Sequence, residues 1–313
     1  MGSAKSQAST AEPSWLFDDD TQDGFSGNCA TVMSRELKAR PQSKGHVIVF
    51  ANEKGGVGKS TFAFHSCMAL CHAGHKVAAI DLDSRQQTLT RALENREGTA
   101  RRLKIALPRP KSVTLRHQTG ASLNQEIARI GWDADYILID APGHDSPMAR
   151  LAIAMADTLV TPVNNSFVDL DLLGQFDAVT MKLNRFGNFS KLVQEMREVR
   201  DYQGNPTVDW IVAQNRQRRI GTANQSRVKQ ALTELAPKAG FRLIDGLGER
   251  VSYRELFLLG MTVFDLKFIP DFARSQPAAK AEVEKMMAGL RLPVLETARQ
   301  RKGLPNWGVA CGA

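Results

Sequence analysis

The stretch Lys54-Gly55-Gly56-Val57-Gly58-Lys59-Ser60-Thr61 restricts the possible folds of this chain more than any other. Directly before it, residues 47–51 form a β-branched and aromatic run that reads as a buried strand. Directly after it, residues 62–70 read as a helix packed on that strand. A strand, a glycine loop and a helix N-terminus in this order hold a nucleotide phosphate chain, because unpaired backbone N–H groups and the positive end of the helix dipole face one point. Gly55, Gly56 and Gly58, with the Val57 backbone, let N–H groups turn inward, and Thr61 closes the loop. Lys59 adds a full positive charge, and Ser60 offers a hydroxyl to Mg²⁺.

From His46 onward strands alternate with helices, which predicts an α/β fold with a doubly wound, mostly parallel sheet flanked by helices. The second strand, residues 76–83, ends in Asp81 and Asp83, and strand ends are where such sheets bind ligands. A later apolar run, residues 136–139, ends in Asp140, the Walker B pattern of a P-loop NTPase; this carboxylate is expected to hold Mg²⁺ through water. Ala141-Pro142-Gly143 follows, a backbone able to reposition when a γ-phosphate is lost. Further core strands are expected over residues 157–163 and 208–216.

The chain has 313 residues, 42% hydrophobic and 24% charged, which suits one sizeable domain with appendages. The expected division is a flexible N-terminal lead over 1–44, a nucleotide-binding domain over 45–292 and a C-terminal tail over 293–313. No apolar run approaches the roughly 20 residues that span a membrane, and no secretory signal is visible, so a cytoplasmic location is expected. The formal charge of +8 favours a polyanionic partner, most simply nucleic acid. Between Gln86 and Gly131 the many arginines and lysines, Arg91, Arg96 and Arg101 among them, read as a solvated basic face. Of the four cysteines, Cys67 and Cys71 lie one helical turn apart and read as small buried hydrophobes. Cys29 and Cys311 are too far away to complete a cluster-binding set.

Glu53 stands where an ordinary P-loop has its first glycine, and Lys54 adds a second lysine to the loop. This deviant Walker A motif resembles the ParA/MinD family of ATPases. The resemblance implies that Lys54 reaches across a homodimer interface formed on ATP binding, and that Asp83 orients the attacking water. It also implies that Asn215 reads the adenine edge. Lys54, Lys59 and Asp83 are then the catalytic set, with ATP and Mg²⁺ as cofactors.

More narrowly, residues 52–56, 165–171, 209–212 and 253–257 resemble the MipZ family of division-site positioning ATPases, over about residues 46–290. That resemblance implies binding to non-specific DNA, to a ParB-like protein and to FtsZ, and a nucleoid-associated gradient in a bacterial cytoplasm. Arg216, Arg218, Arg219, Arg227 and Lys229 are the candidate DNA contacts, with Arg250 and Arg254 as weaker additions. The alternatives are a ParA-type partitioning ATPase, a MinD-type membrane ATPase, an ATP-dependent ligase and a scaffold with a dead ATP site. The MinD type needs an amphipathic terminal helix, and Pro and Gly interrupt this tail, so no stable membrane association is expected. The chain is too short for the ligase. Its intact Lys54, Lys59, Asp83 and Asp140 disfavour the scaffold.

Overall fold

The computed structural model describes residues 26–41, 43–177, 180–216, 223–269 and 276–293. Its centre is β1 (His46–Phe50), which leads through the glycine loop into α2 (Lys59–His72). Alternate β1 side chains serve opposite faces of the sheet: Val47 and Val49 enter one core, Ile48 and Phe50 the other. A strand buried on both faces reads as a continuous apolar run rather than an alternating one, which is why β1 was legible.

Parallel strands β2 (Val77–Asp81), β3 (Lys111–Thr114), β4 (Tyr136–Asp140), β5 (Thr158–Asn164), β8 (Asp209–Asn215) and β9 (Phe241–Asp245) complete a seven-stranded sheet in the order β3-β2-β4-β1-β5-β8-β9. A small antiparallel pair, β6 (Gly174–Phe176) and β7 (Leu183–Phe186), stands apart. One face of the large sheet is covered by α2, α3 (Thr88–Leu103), α9 (Val251–Leu258) and α10 (Pro277–Leu290). The other is covered by α1 (Ser26–Lys38), α4 (Gly120–Ile130), α5 (Pro147–Met155), α7 (Asn188–Tyr202) and α8 (Ala223–Ala239). A short helix, α6 (Phe167–Asp171), follows β5. No described helix is long and apolar enough to cross a membrane. The expected α/β architecture is present.

Two regions differ from the sequence reading. The stretch before residue 45, expected to be a flexible lead, includes α1, whose Met33 and Leu37 are buried against the α5 and α7 layer. Arg40 fastens its C-terminal end, donating to Met155 O at 3.0 Å and pairing with Asp157. Tertiary packing makes this helix; its sequence offers only a short apolar pair one turn apart. Residues 1–25 of the expected lead and the tail beyond 293 lie outside the described residues.

The basic stretch after Gln86 contains the edge strand β3, half polar and largely exposed, which no apolar run announced. Within the same stretch Arg96 is not on a solvated face. Its side chain is buried in a bidentate pair with Asp265 (2.8 and 2.9 Å), and it donates to Pro108 O and Gly260 O. His72 lies 2.6 Å from the same carboxylate, and the Thr262 N–H donates to it at 2.8 Å.

Burial alone would raise the pKa of Asp265, but the hydrogen bonds from His72 and Arg96, with the guanidinium charge, hold it well below the usual carboxylate range. Gly260 must be glycine here: its φ is +63°, and a Cβ would stand 2.1 Å from the Arg96 nitrogen. Replacing Asp265 with Ala leaves a buried guanidinium without its counter-charge. Urea unfolding should show a loss of about 3–5 kcal/mol; a loss of only about 0–1 kcal/mol, as for a surface pair, would contradict this reading.

Candidate functional site

The site lies at the C-terminal ends of β1, β2 and β4, where register places Phe50 beside Asp140 and Asp81 beside Asp140. The glycine loop leaves β1 through Asn52, whose amide braces it from both sides. Its nitrogen donates to Pro162 O of β5 at 2.8 Å, and its oxygen accepts from the Lys54 N–H at 2.9 Å. Gly56 and Gly58 take φ values of +74° and +101°, which side-chain-bearing residues rarely adopt. At Gly58 a Cβ would also strike the Asn215 amide at 2.4 Å. Asn52 was quoted in the sequence only as part of a motif; its bracing role needs β5, more than a hundred residues downstream.

Lys59 opens α2 and is nearly buried, with its ammonium donating to Lys54 O at 3.0 Å across the loop. Burial lowers its pKa, while the charges of Asp140 and Asp83 oppose that shift. Asp140 is fully buried, and neither carboxylate oxygen has a hydrogen-bond partner. The Ser60 hydroxyl stands close enough to stabilise its charge, though outside hydrogen-bonding geometry. Burial, and then the like charge of Asp81, push the Asp140 pKa up to about 8 against the weaker pull of Lys59.

A buried carboxylate with two unsatisfied oxygens beside a lysine and a serine hydroxyl fits a divalent cation. Ser60 and Asp140 are the residues that would hold Mg²⁺, which supplies charge for phosphate oxygens when bound. The loop after β4 completes the enclosure: at Gly143 a Cβ would lie 3.1 Å from both Gly55 Cα and the Lys59 ammonium. A side chain there would crowd the loop and the Lys59 ammonium. His144, beyond it, is exposed and its charge lowers the Asp145 pKa behind the larger effect of the Arg150 hydrogen bond.

Asp81 and Asp83 divide their labour. Asp81 is buried and accepts from the Asp83 N–H (3.0 Å), the Thr90 N–H (3.0 Å) and the Thr90 hydroxyl. It braces the turn that presents Asp83. One Asp83 oxygen caps that turn at the Arg85 and Gln86 N–H groups, and the side chain reaches the rim of the site, half-buried.

Lys54 does not point away from its own chain. Its ammonium pairs with Asp169 of α6, a buried carboxylate whose other oxygen accepts from the Asn164 N–H at 2.9 Å. Asp169 sits in one of the segments singled out in the sequence, but without a role there.

Asn215, assigned by resemblance to the base, is committed through its amide nitrogen to Val57 O at 2.7 Å. It still lines a pocket beside the loop, with Gly58 and Thr61 on its wall and Leu247, Tyr253 and Arg254 across from it. Arg216, a candidate DNA contact, lines this pocket too, in a left-handed backbone conformation at the end of β8. Arg227 and Lys229 are exposed on α8, and Arg227 lies over the Phe167 ring of α6. Arg218 and Arg219 lie outside the described residues. Cys67 and Cys71 are buried on α2, beneath the site.

A family model described as ATPase MipZ matches residues 46–294. Among curated proteins, the chain is similar to the cytosolic Fe-S cluster assembly factor NUBP2 of Bos taurus, 27% identical over 120 residues, or 31% of this chain and 44% of that protein. It is also similar to the chromosome-partitioning ATPase Soj of Thermus thermophilus, 30% identical over 168 residues, or 46% of this chain and 66% of that protein. The chain thus spans about half to two thirds of the length of these relatives. Among solved structures, apo McdA of Cyanothece has the same fold, with a TM-score of 0.55 and 17% identity over 78% of this chain and 99% of that one. An ATP complex of a McdA variant gives a TM-score of 0.53 and 18% identity over 81% and 99%.

The environment of Asp140 has a measurable consequence for the ligand-free, Mg²⁺-free protein. The unfolded carboxyl ionises near its ordinary value of 3.8, the folded one only at about 8. Its contribution to stability is therefore full below pH 3.8 and is lost as the pH climbs towards 8. At pH 7 the difference is on the order of 4 kcal/mol against folding. Asp140→Asn removes that term while keeping the shape. It should raise the stability at pH 7.5 by about 1–3 kcal/mol and flatten the pH dependence of the urea midpoint between pH 5 and 8, while abolishing ATP hydrolysis. A destabilised Asn variant would show that the carboxylate has an internal partner.

Proposed function

The chain belongs to the MipZ family of ATPases, and from this premise we propose that it is an ATP-dependent dimerising switch that positions the division site. In this reading ATP and Mg²⁺ occupy the glycine loop. Two chains close face to face, and Lys54 of each neutralises phosphate charge in the other. Asp83 orients the attacking water. Hydrolysis removes the negative charge that holds the halves together. With positioning and charge stabilisation as the only means available, turnover should be slow, and it should require Mg²⁺.

The observation that carries this reading is the Lys54–Asp169 pair. The lysine side chain is 35% exposed, and it is held by one carboxylate at the rim of the site. A second chain's phosphates would take Asp169's place as the anion for Lys54, and the bound nucleotide would have to offset the cost of leaving the buried Asp169 carboxylate with the Asn164 N–H. In an ordinary P-loop no such lysine exists.

The same premise supports a DNA-linked gradient with a ParB-like protein at its source and FtsZ as the target. Arg227 and Lys229, exposed on α8 beside α6, are suited to phosphate contacts that carry no sequence information. Such binding should weaken steeply with salt. Arg218 and Arg219 extend the same candidate surface by sequence.

FtsZ polymerisation followed by light scattering, with wild-type or Lys54→Ala protein and Mg-ATP, tests the proposal. The wild type should shorten or abolish the polymers, and the variant should leave them unchanged. If the wild type hydrolyses ATP and binds DNA but leaves FtsZ untouched, the division reading fails, and a ParA-type partitioning role, in line with the similarity to Soj, takes its place.

A further inference from the structure

Beyond the phosphate loop, a nucleotide is distinguished by its base, and the pocket next to Gly58 and Thr61 is where a base attached to a cradled triphosphate would lie. One wall of that pocket is the segment 246–250, which joins β9 to α9. Its first half is stitched to β8. The Gly246 N–H donates to Gln214 O at 2.8 Å, and the Arg216 N–H donates to Leu247 O at 2.8 Å. Gly246 lies so close to the strand that a Cβ would meet Gln214 O at 2.5 Å and the Phe62 ring of α2 at 2.7 Å.

The second half of the segment is held from a different element. Glu282 projects from α10, a helix fixed by buried Val283, Met286 and Met287 and packed on α2. Its carboxylate accepts from the Gly248 N–H at 3.1 Å, from Arg250 Nε at 2.9 Å and from a second nitrogen of Arg250. The Tyr253 hydroxyl lies 2.9 Å from it and 2.8 Å from Ala279 O. Burial would raise the Glu282 pKa, but these hydrogen bonds and the Arg250 charge hold it below the usual range, so the group is anionic at neutral pH.

Gly248, Arg250 and Tyr253 all line the base pocket, while Glu282 lines a neighbouring cavity on the other side of Gly248 and Arg250. Arg250, which borders both cavities, is held by this carboxylate, and the Tyr253 ring is set against His65 of α2 with ring centroids 5.1 Å apart. Without the carboxylate, the guanidinium loses its partner and the Gly248 N–H its acceptor. The pocket then gains an unpaired cation and loses a fixed wall.

We infer that Glu282 is a positioning residue for the nucleotide base, acting through Gly248, Arg250 and Tyr253 to keep the pocket beside the P-loop open and shaped. It touches neither phosphates nor reacting atoms, so it sets binding of the base rather than the chemical step. The inference rests on reading the P-loop pocket as an ATP site.

Equilibrium binding of ATP and of inorganic tripolyphosphate, each with Mg²⁺, to the full-length wild type, Glu282→Gln and Glu282→Ala separates this role from a merely structural one. Tripolyphosphate engages the P-loop alone. The wild type should prefer ATP, and Glu282→Ala should weaken ATP at least about tenfold while tripolyphosphate affinity stays within a factor of about two. Glu282→Gln, which keeps the shape but not the charge, should fall between them. At saturating ATP the kcat of the variants should match the wild type. Equal losses for both ligands would mark Glu282 as a general structural staple and overturn the inference, as would an unchanged ATP preference. A wild type that binds tripolyphosphate as well as ATP would instead remove the premise, because no base site would then exist.

Discussion

A buried carboxyl without a hydrogen-bond partner, at the end of a dry parallel sheet, is the constraint around which this molecule is built. Asp81 and Asp140 sit opposite each other in register on adjacent strands, both buried. Asp81 accepts hydrogen bonds from Asp83 and Thr90, which offset part of the burial that raises its pKa. Asp140 has no such partners, and the fold bears the cost of keeping it there. Lys59 stands near enough to feel both Asp140 and Asp83, yet its own hydrogen bond goes to the backbone of the loop. In the proposed function, a cation would complete Asp140 and phosphate oxygens would complete Lys59. The glycines, the left-handed turns and the bare Gly143 backbone keep that space clear of side chains.

Around this centre the supporting contacts come from far along the chain. Asn52 ties the loop to β5, Asn215 ties it to β8, and Asp169 stores the second lysine on α6. Each link joins the phosphate loop to an element on the β5–β8 side of the sheet. The contacts continue to the basic helix α8, where Arg227 lies over the Phe167 ring of α6.

Strands β1, β2, β4, β5 and β8, the glycine loop and the order of the acidic strand ends were legible because each is a local pattern: a short apolar run, a turn that only glycine can make, an aspartate at a strand terminus. The parts that escaped depend on distance. Arg96 looks like any surface arginine until Asp265, 169 residues away, is brought against it. The strand β3 has exposed Lys111 and Ser112 and lacks the apolar signature of its neighbours. Helix α1 owes its order to α5 and α7 rather than to its own propensity. Asp169 was visible as part of a distinctive segment, but no sequence rule said that its partner would be Lys54 of the same chain. Arg216, read by its charge as a DNA contact, is exposed at the end of β8 and also lines the pocket beside the loop, a placement its sequence did not announce.

Sedimentation velocity of a hydrolysis-blocked Asp83→Ala chain, in Mg-ATP and in Mg-ADP, tests most directly the central claim that nucleotide charge joins two copies through Lys54. The account predicts a dimer in ATP, a monomer in ADP, and a monomer in both when Lys54→Ala is added. A chain that stays monomeric in ATP while binding it tightly would contradict the claim, as would a dimer indifferent to the nucleotide or to Lys54.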